Sequence, residues 1–399
     1  MKKRWLTIIA ALLLLAMGAT ALAEFDNEEV TITFIDPNGV PLTGEDAVPD
    51  LDGDGYADVT PEPEPTPDPS APVYETDGSI LLTMSFTGDV TIGSDPRKSS
   101  SIFNKELKKQ NGDIHFPFRN VKDIFAEDDL TMVNFEGTLT TAKPNPKKAD
   151  YQFLFRADPS FAEILPAANI ETVSYENNHA DDMGDAGLAE TKQSLMGVGV
   201  TYASEDEPCI MRVKGVTIGS LAYQGWRDRR DEVMAKLPTD IADLRAKGCD
   251  IVIVSFHWGN EKDYSPTETQ IALGRGAVDA GADLVIGHHS HRINPIELYN
   301  GKYICYSLGN FSFAGNSKPD DMSTYIFQIR MRVMNGEVSN DAIKLIPCRI
   351  SSRTDYNDFA PTPYDDQSKC ETVINLLRQN GKKLDYALED YPLKWPDEE

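Results

Sequence analysis

The stretch from residue 284 to residue 291 reads Leu284-Val285-Ile286-Gly287-His288-His289-Ser290-His291. Its first three apolar residues predict a buried strand, and the polar residues after them predict that the strand ends there. His289 and His291 are alternate residues, and on an extended segment alternate side chains point the same way. Two imidazoles on one side of the chain suit a shared site. This stretch therefore predicts a strand whose carboxyl end bears side chains of a functional site.

Four other apolar strands end in the same way. They are predicted at residues 81–86, 130–133, 172–175 and 251–256. The clusters that follow them are Thr87-Gly88-Asp89, Asn134-Phe135-Glu136-Gly137, Glu176-Asn177-Asn178-His179 and His257-Trp258-Gly259-Asn260-Glu261. Ligands of α/β sheets bind outside the carboxyl ends of the strands, so the five clusters are expected to converge in one crevice.

The residue types in these clusters are those that bind transition metals. Five of the six histidines of the chain belong to them. Asp, Glu, Asn and His are the ligands of hydrolytic two-metal sites that hold Zn, Mn or Fe. Each cluster alone has a structural alternative: a turn at Asp89, a cap or solvated pair at Asn134 and Glu136, a helix start at His179, a half-buried ring at His257. Together they favour a metal site, or the degenerate remnant of one.

From about residue 80 onward, strand patterns alternate with helical ones. Helices are predicted at residues 188–196, 231–247, 268–280 and 367–380. Hairpins are predicted at residues 210–223, 296–306 and 325–346, with turns at Lys214-Gly215, Asn300-Gly301 and Asn335-Gly336. This alternation predicts a layered α/β domain with a mixed sheet.

The N-terminus has the layout of a secretory signal peptide. Lys2, Lys3 and Arg4 precede an apolar run at residues 5–17, and Ala21-Leu22-Ala23 forms an A-x-A cleavage signal. We therefore predict cleavage after residue 23 and an exported protein, extracellular or associated with the cell envelope. The alternative is an uncleaved anchor, because residues 5–23 are nearly long enough to cross a bilayer. Only this segment would then contact the membrane.

The segment at residues 24–79 is predicted to be an acidic linker. Residues 24–80 contribute −16 to the formal net charge of −26, while residues 81–399 contribute −13. A short strand is predicted at residues 30–34. The Pro-Glu alternation at residues 61–69 predicts a semi-stiff extended spacer.

Part of this linker resembles the start of a calcium-binding loop. The candidate ligands are Asp50, Asp52, Asp54 and Asp58, with Gly55 at the turn. The twelfth position is Pro61 rather than Glu, and no amphipathic helix flanks the loop. A solvated acidic linker is therefore the alternative to calcium binding.

The charge distribution excludes one class of partner. Nucleic acids require a basic face, and this chain has an excess of carboxylates both in the linker and in the domain. An anionic partner would need a local basic patch. Arg227, Arg229 and Arg230 are the predicted substrate-binding patch, and a solvated helix start is the alternative. None of the five cysteines forms a C-x-x-C pair, so neither a thiolate zinc site nor a redox motif is predicted.

Six motifs occur in an order that resembles a known family. They are Thr-Gly-Asp-Val at residues 87–90, Asn-Phe-Glu-Gly at 134–137, Asn-Asn-His-x-x-Asp-x-Gly-x-x-Gly at 177–187, His-Trp-Gly-x-Glu at 257–261, Gly-His-His-x-His at 287–291 and Tyr-Ser-Leu-Gly-Asn-Phe at 306–311. The chain thus resembles the CapA family of bacterial capsule (poly-γ-glutamate) synthesis proteins, which is related to the calcineurin-like metallophosphoesterases. The resemblance covers residues 80–350, and residues 351–399 are predicted to be a helical extension and tail.

The resemblance implies a metallophosphoesterase-like four-layer α/β/β/α sandwich with mixed sheets and one or two divalent ions (Zn, Mn or Fe). A first ion would be bound by Asp89, Glu136 and His291. A second would share the bridging Glu136 and would be bound by Asn178, His257 and His289. His179 would be the catalytic acid, or would steady charge in the transition state. Asn310 is a further candidate for contact with substrate, and turn formation is its alternative role.

The sequence departs from the phosphoesterase pattern at two strands. The relatives carry Asp-x-His at the first strand, where this chain has Asp89-Val90-Thr91, and Gly-Asp-x-x-Asp at the second, where it has Asn134-Phe135-Glu136. The first ion would therefore have three protein ligands, and a single ion remains an alternative.

Three functional hypotheses follow. The first is an exported protein in the synthesis, export or anchoring of poly-γ-glutamate or a similar anionic polymer, working with a membrane synthase or export components. The second is a secreted metallophosphoesterase. The third is a non-catalytic module that binds a polymer or a partner through a degenerate site.

Overall fold

The computed structural model describes residues 20–26, 29–35, 70–99 and 101–398. The chain divides into two compact units, Met1–Pro67 and Asp68–Glu399. In the first unit, β1 (Thr20–Asp26) pairs antiparallel with β2 (Glu29–Ile35), which includes the strand predicted at residues 30–34. The start of the predicted signal, the Pro-Glu spacer and the calcium candidates Asp50, Asp52, Asp54 and Asp58 lie outside the described residues.

The second unit is built from strands and helices in alternation. Its strands are β3 (Ile80–Thr91), β4 (Leu130–Phe135), β5 (Thr138–Leu139), β6 (Arg156–Ala157), β7 (Thr172–Ser174), β8 (Thr201–Ala203), β9 (Cys209–Val213), β10 (Val216–Gly225), β11 (Ile251–Trp258), β12 (Leu284–His288), β13 (Ile296–Tyr299), β14 (Lys302–Cys305), β15 (Asn310–Phe313), β16 (Ser323–Met334), β17 (Glu337–Arg349) and β18 (Thr362–Pro363). Its helices are α1 (Ile102–Lys109), α2 (Lys122–Phe125), α3 (Gly184–Gly197), α4 (Arg230–Ala246), α5 (Glu268–Asp279) and α6 (Gln367–Gly381). Short 3-10 helices lie at Phe116–Phe118, Pro146–Lys148, Pro159–Ile164, Pro166–Ala168 and Pro396–Glu398.

Two large mixed sheets organise this unit. The first has the order β18-β17-β16-β3-β4-β7-β8, with β15 paired to β3, and the second has the order β13-β14-β12-β11-β10-β9. Strands β3, β4, β7 and β8 run parallel in the first sheet, as do β10, β11, β12 and β14 in the second. The hairpin strands are antiparallel, which makes both sheets mixed.

The apolar side chains divide the unit into four layers. Side chains of both sheets, such as Met84 of β3 and Ile253 of β11, meet in one buried core between the sheets. The outer face of the first sheet packs against α1 and α3, which contribute Phe103 and Leu195. The outer face of the second packs against α4 and α5. The predicted α/β/β/α sandwich with mixed sheets is therefore confirmed.

The three predicted hairpins are present as β9–β10, β13–β14 and β16–β17. At each turn both residues have positive φ: 46° and 83° at Lys214-Gly215, 48° and 76° at Asn300-Gly301, and 54° and 80° at Asn335-Gly336. This is the backbone of type I′ turns, whose twist matches that of the flanking strands. The glycine therefore fixes the register of each hairpin.

Helix α1 and strand β15 are among the features of the domain that were not predicted. Helix α1 has a polar sequence, and its N-cap is Ser101, whose side chain accepts a hydrogen bond from the backbone N–H of Asn104. Strand β15 pairs with β3 through Asn310 and Phe313. In addition, α6, predicted as part of an extension, contributes Val373 to the core between the sheets.

The five cysteines are free and buried. Among the helices of the described residues, we find none with the length and apolarity needed to span a bilayer.

Candidate metal centre

The sheet registers bring the predicted polar clusters together at the carboxyl ends of the parallel strands. In the first sheet Asp89 of β3 lies opposite Asn134 of β4. In the second sheet His257 of β11 lies opposite His288 of β12. Asp89, Glu136 and His257 offer ligand atoms that lie within 4.8 Å of one another, and all three residues are buried. The predicted convergence of clusters is therefore present.

Two glycines allow these strand ends to approach neighbouring backbone. A Cβ atom on Gly88 would overlap the carbonyl oxygen of Gly309, and a Cβ atom on Gly287 would overlap that of Tyr306. Each glycine directly precedes a polar residue of the centre, so its missing side chain sets the position of that residue.

Asp89 lies in one half of the centre. Its Oδ1 accepts a hydrogen bond from Nδ2 of Asn134 at 2.8 Å. Its Oδ2 lies 3.1 Å from Nδ1 of His291, and its Oδ1 lies 3.5 Å from Nδ1 of His288. Oε1 of Glu136 lies 3.9 Å from Nε2 of His291. These are the residues that the resemblance assigns to the first ion, together with His288.

The other half contains the residues assigned to the second ion. Nε2 of His257 lies 2.6 Å from Oδ1 of Asn178 and 3.0 Å from Nδ1 of His289. Three potential ligand atoms therefore point at one place. Trp226 packs edge-on against His257 and His289, with ring centroids 5.9 and 4.8 Å apart, and so forms an apolar wall beside them.

Several buried donor and acceptor atoms in the centre have no hydrogen-bond partner. They are Oδ2 of Asp89, both carboxyl oxygens of Glu136, Nδ1 of His288 and Nδ1 of His291. Burying such groups without partners is costly, and buried charges are usually paired or bound to metal. Oxygen and imidazole ligands together suit Zn, Mn or Fe. The donor set therefore fits a divalent transition metal.

Burial and neighbouring charges shift the pKa values of the ionisable groups in the centre in different directions. Burial, and after it the charge of Asp89, raises the pKa of Glu136 well above its usual range. The pKa of His289 is lowered to about 3, first by burial and then by repulsion from His291. Burial and repulsion from His289 also hold the pKa of His257 well below its usual range. Two neutral imidazoles are thus ready to bind a cation.

The pKa of His291 is raised and that of Asp89 is lowered, the reverse of the shifts at the two histidines above and at Glu136. Burial lowers the pKa of His291, but Glu136 and Asp89 outweigh it and raise that pKa to about 9. Burial also raises the pKa of Asp89, yet the neighbouring imidazoles of His288 and His291 hold it well below its usual range. A cation would replace the proton of His291, so metal binding should release protons.

His179 faces the centre from the β7–α3 connection. Its Nδ1 lies 2.8 Å from Oδ2 of Asp182, and its Nε2 lies 3.8 Å from Oε1 of Glu136. Asp182 also accepts hydrogen bonds from the backbone N–H of Phe155 and from Nζ of Lys148. Asp182 thereby fixes the ring of His179 with Nε2 directed toward the metal ligands.

The expectation that residues 289–291 are extended is wrong. Strand β12 ends at His288, and His289 and His291 have φ values of 90° and 53°, in the left-handed region. Their rings still converge, with centroids 6.0 Å apart. A tight bend, rather than strand alternation, brings these side chains together, and backbone strain of this kind clusters at functional sites.

A cavity of about 410 Å³ opens beside the centre. His179, His291 and Asn310 line it, so Asn310 shares this cavity with two of the predicted site histidines. Phe155 and Phe313 supply apolar walls, with ring centroids 4.6 Å from His179 and 4.8 Å from His291 respectively. The cavity therefore borders the catalytic candidate His179.

The three arginines of the predicted basic patch differ from one another. Arg227 and Arg230 line a separate cavity of about 590 Å³, which none of the site histidines lines. Arg229 donates to both carboxyl oxygens of Glu205, at 2.7 and 2.6 Å, and to Glu232 at 2.7 Å. Its guanidinium already has carboxylate partners within the protein, and that of Arg230 also has one, since its Nε donates to Oδ1 of Asp231 at 3.0 Å.

Sequence reasoning assigned no role to several residues that shape the centre. These are Asn134, Asn177, Asp182, Trp226 and His288. Asn177 donates to the carbonyl oxygen of Phe135 at 2.8 Å and accepts from the backbone N–H of His179, which ties two clusters together. The i,i+3 spacing of His179 and Asp182 was the available signal for their pairing. The contact of His288 with Asp89 depends on sheet order, which no local pattern encodes.

The sequence is similar to those of several known proteins. The sequence model of the family described as "Bacterial capsule synthesis protein PGA_cap" matches residues 83–314. The "PGA biosynthesis protein CapA" of Bacillus subtilis (strain 168) is 34% identical over 262 residues, 61% of this chain and 66% of that protein. The "Capsule biosynthesis protein CapA" of Bacillus anthracis is 28% identical over 287 residues, 66% of this chain and 67% of that protein.

The match to the Bacillus subtilis protein covers slightly less than two thirds of that relative's length. Among solved structures, the calcineurin-like phosphoesterase YfkN from Bacillus subtilis aligns with a TM-score of 0.42 and 14% identity, over 76% of this chain and 100% of that chain. The family match covers more than half of the chain and includes all six motifs and every residue of the candidate metal centre. The chain therefore belongs to the PGA_cap family of bacterial capsule synthesis proteins.

Proposed function

We propose that this protein is exported and acts on poly-γ-glutamate or a similar anionic polymer of the cell envelope, through a metal-dependent hydrolase-type site. The observation that carries the proposal is the set of buried, unpartnered ligand atoms on Asp89, Glu136 and His291, beside the converging nitrogen and oxygen atoms of His257, His289 and Asn178. Family membership and the names of the relatives support the polymer as substrate.

Asp89, Glu136 and His291 would bind a first ion, and Asn178, His257 and His289, with Glu136 shared, a second. Bound divalent ions would polarise the scissile bond and lower the pKa of bound water.

The residues of the chain supply the rest of the reaction. His179 would protonate the leaving nitrogen or oxygen as its bond to carbon or phosphorus breaks, while water supplies the hydroxyl that replaces it. Asp182 orients His179 for this transfer through its hydrogen bond to Nδ1. Trp226 reduces access of bulk water to His257 and His289.

Arg227 and Arg230 are the proposed contacts with carboxylates of the polymer away from the reacting bond. Both line the second cavity, and the positive ends of α4 and α5 lie in the same region, since residues of both first turns line it. Arg229 supports the patch structurally through Glu205. Polymerisation and export would need membrane-bound partners, a synthase or export components.

The test measures hydrolysis by two forms of the protein: the uncleaved chain, and the chain from which only the N-terminal signal has been removed. Each is loaded with Mn, Zn or Fe and incubated with poly-γ-glutamate and with bis(p-nitrophenyl) phosphate. We expect metal-dependent shortening of poly-γ-glutamate, measured by gel electrophoresis. Cleavage of the phosphodiester alone would instead identify a secreted metallophosphoesterase. Cleavage of neither substrate by the metal-loaded protein would contradict hydrolysis and favour a binding module.

A further inference from the structure

One buried histidine of the centre has no assigned role. His288 is the last residue of β12, and its exposed fraction is 2%. In parallel register it lies opposite His257, so the two side chains project from neighbouring strands to the same side of the second sheet. His288 therefore lies at the carboxyl edge where the metal candidates converge.

The contacts of His288 are those of a ligand rather than of a core residue. Its Nδ1 has no hydrogen-bond partner and is buried. Oδ1 of Asp89 lies 3.5 Å from this nitrogen and already accepts a hydrogen bond from Asn134 at 2.8 Å. A histidine retained for packing would be expected to satisfy a buried ring nitrogen, because leaving it unpaired is costly.

We infer that His288 binds the first metal ion through Nδ1, as a fourth protein ligand beside Asp89, Glu136 and His291. Nδ1 of His288 and Nδ1 of His291 approach different oxygens of the same carboxylate. A cation bound to Asp89 would thus meet an imidazole from each side. Two imidazoles and two carboxylates suit Mn or Fe and leave positions for water.

This assignment rests on the proposed metal site and makes it more specific. Without His288 the first ion has three protein ligands, and the centre could hold a single ion. With His288, each of the two ions would have four side-chain ligands, because Glu136 is counted for both. The inference therefore predicts that each chain binds two ions and that binding of the first ion depends on His288 more strongly than binding of the second.

The test compares the full-length wild type with His288→Ala, His288→Asn, His289→Ala and His115→Ala. His289 belongs to the second group and shows what the loss of an assigned ligand does. His115 is exposed and outside the clusters, so its replacement controls for histidine content. Each protein is freed of metal, titrated with Mn²⁺ and measured by metal analysis after desalting. Pulsed electron paramagnetic resonance reports the nitrogen atoms coupled to bound Mn²⁺.

We expect two ions in the wild type and in His115→Ala. Both His288 variants should lose at least tenfold in affinity for one ion, keep the other, and lose one imidazole nitrogen from the spectrum. Near-ultraviolet circular dichroism of the metal-free proteins identifies any variant that fails to fold, and the Asn variant keeps a polar group at the position. If the folded His288 variants keep the nitrogen count and the metal affinity of the wild type, the inference about His288 is wrong, while the proposed metal site is unaffected. A wild type that binds no metal would overturn the proposed site as well.

Discussion

Replacing Glu136 by Gln should stabilise the metal-free protein and abolish its stabilisation by metal. Both oxygens of Glu136 are buried and unpartnered, and Asp89 lies in the same centre. Without a cation, ionising Glu136 places two carboxylates together in a buried site. Gln removes that repulsion, but it also removes the carboxylate proposed to bridge the ions.

The pH dependence of this effect has a defined sign. Because burial and Asp89 raise the pKa of Glu136, the folded metal-free protein retains this proton at pH values where the unfolded chain has lost it. Stability therefore falls as the pH rises from the unfolded pKa, about 4.3, through the raised folded value. The advantage of Glu136→Gln should be absent near pH 4 and present at pH 8.

Thermal unfolding in chelator and in Mn²⁺ measures both effects. For the wild type, metal at 100 times its dissociation constant adds about 2.7 kcal/mol to the free energy of unfolding, or several degrees in Tm. Glu136→Gln should show a higher Tm in chelator and little response to Mn²⁺. Glu127→Gln, at an exposed carboxylate, is the matched control. A normal metal-induced shift in Glu136→Gln would contradict the bridging role.

Replacing His179 by Ala should remove most hydrolysis while leaving metal binding intact. Nε2 of His179 faces the centre, and its Nδ1 is held by Asp182. General acid catalysis typically contributes about 10²–10⁴-fold to rate, so we expect kcat to fall by that order. Asp182→Asn should lower kcat less, because it disturbs the orientation of the ring and leaves the ring in place.

Steady-state hydrolysis and metal analysis on the same preparations check this prediction. His115→Ala provides the control for a histidine outside the site and should retain wild-type kcat. The prediction fails if His179→Ala keeps its activity. It also fails in its present form if the variant loses metal, since His179 would then be a ligand rather than the acid.

The elements that local pattern determines were predictable. Continuous apolar runs followed by polar clusters identified β3, β4, β11 and β12, and Asn-Gly or Lys-Gly pairs located the hairpin turns. The ligand candidates were found because a polar residue directly after a buried apolar run has few structural reasons to be there. The resemblance then supplied the grouping into two ions and the role of His179.

What depends on tertiary placement was not predictable. The left-handed conformation of His289 and His291 was not predicted, because the local pattern does not say which residues after a strand adopt positive φ. The pairing of Arg229 with Glu205 joins residues 24 positions apart, and the pattern of arginines alone suggested free charge. The proximity of His288 to Asp89 requires the two sheets to be stacked with a particular register.

The presence of metal in this centre is best tested by anomalous X-ray diffraction from crystals of the wild-type protein grown with Mn²⁺. We predict two anomalous peaks within the cluster, about 3.5–4 Å apart as in other two-metal sites. One peak should lie among Asp89, Glu136, His288 and His291, and the other among Asn178, His257 and His289. Peaks elsewhere, or no peak between these side chains at saturating Mn²⁺, would contradict the metal centre.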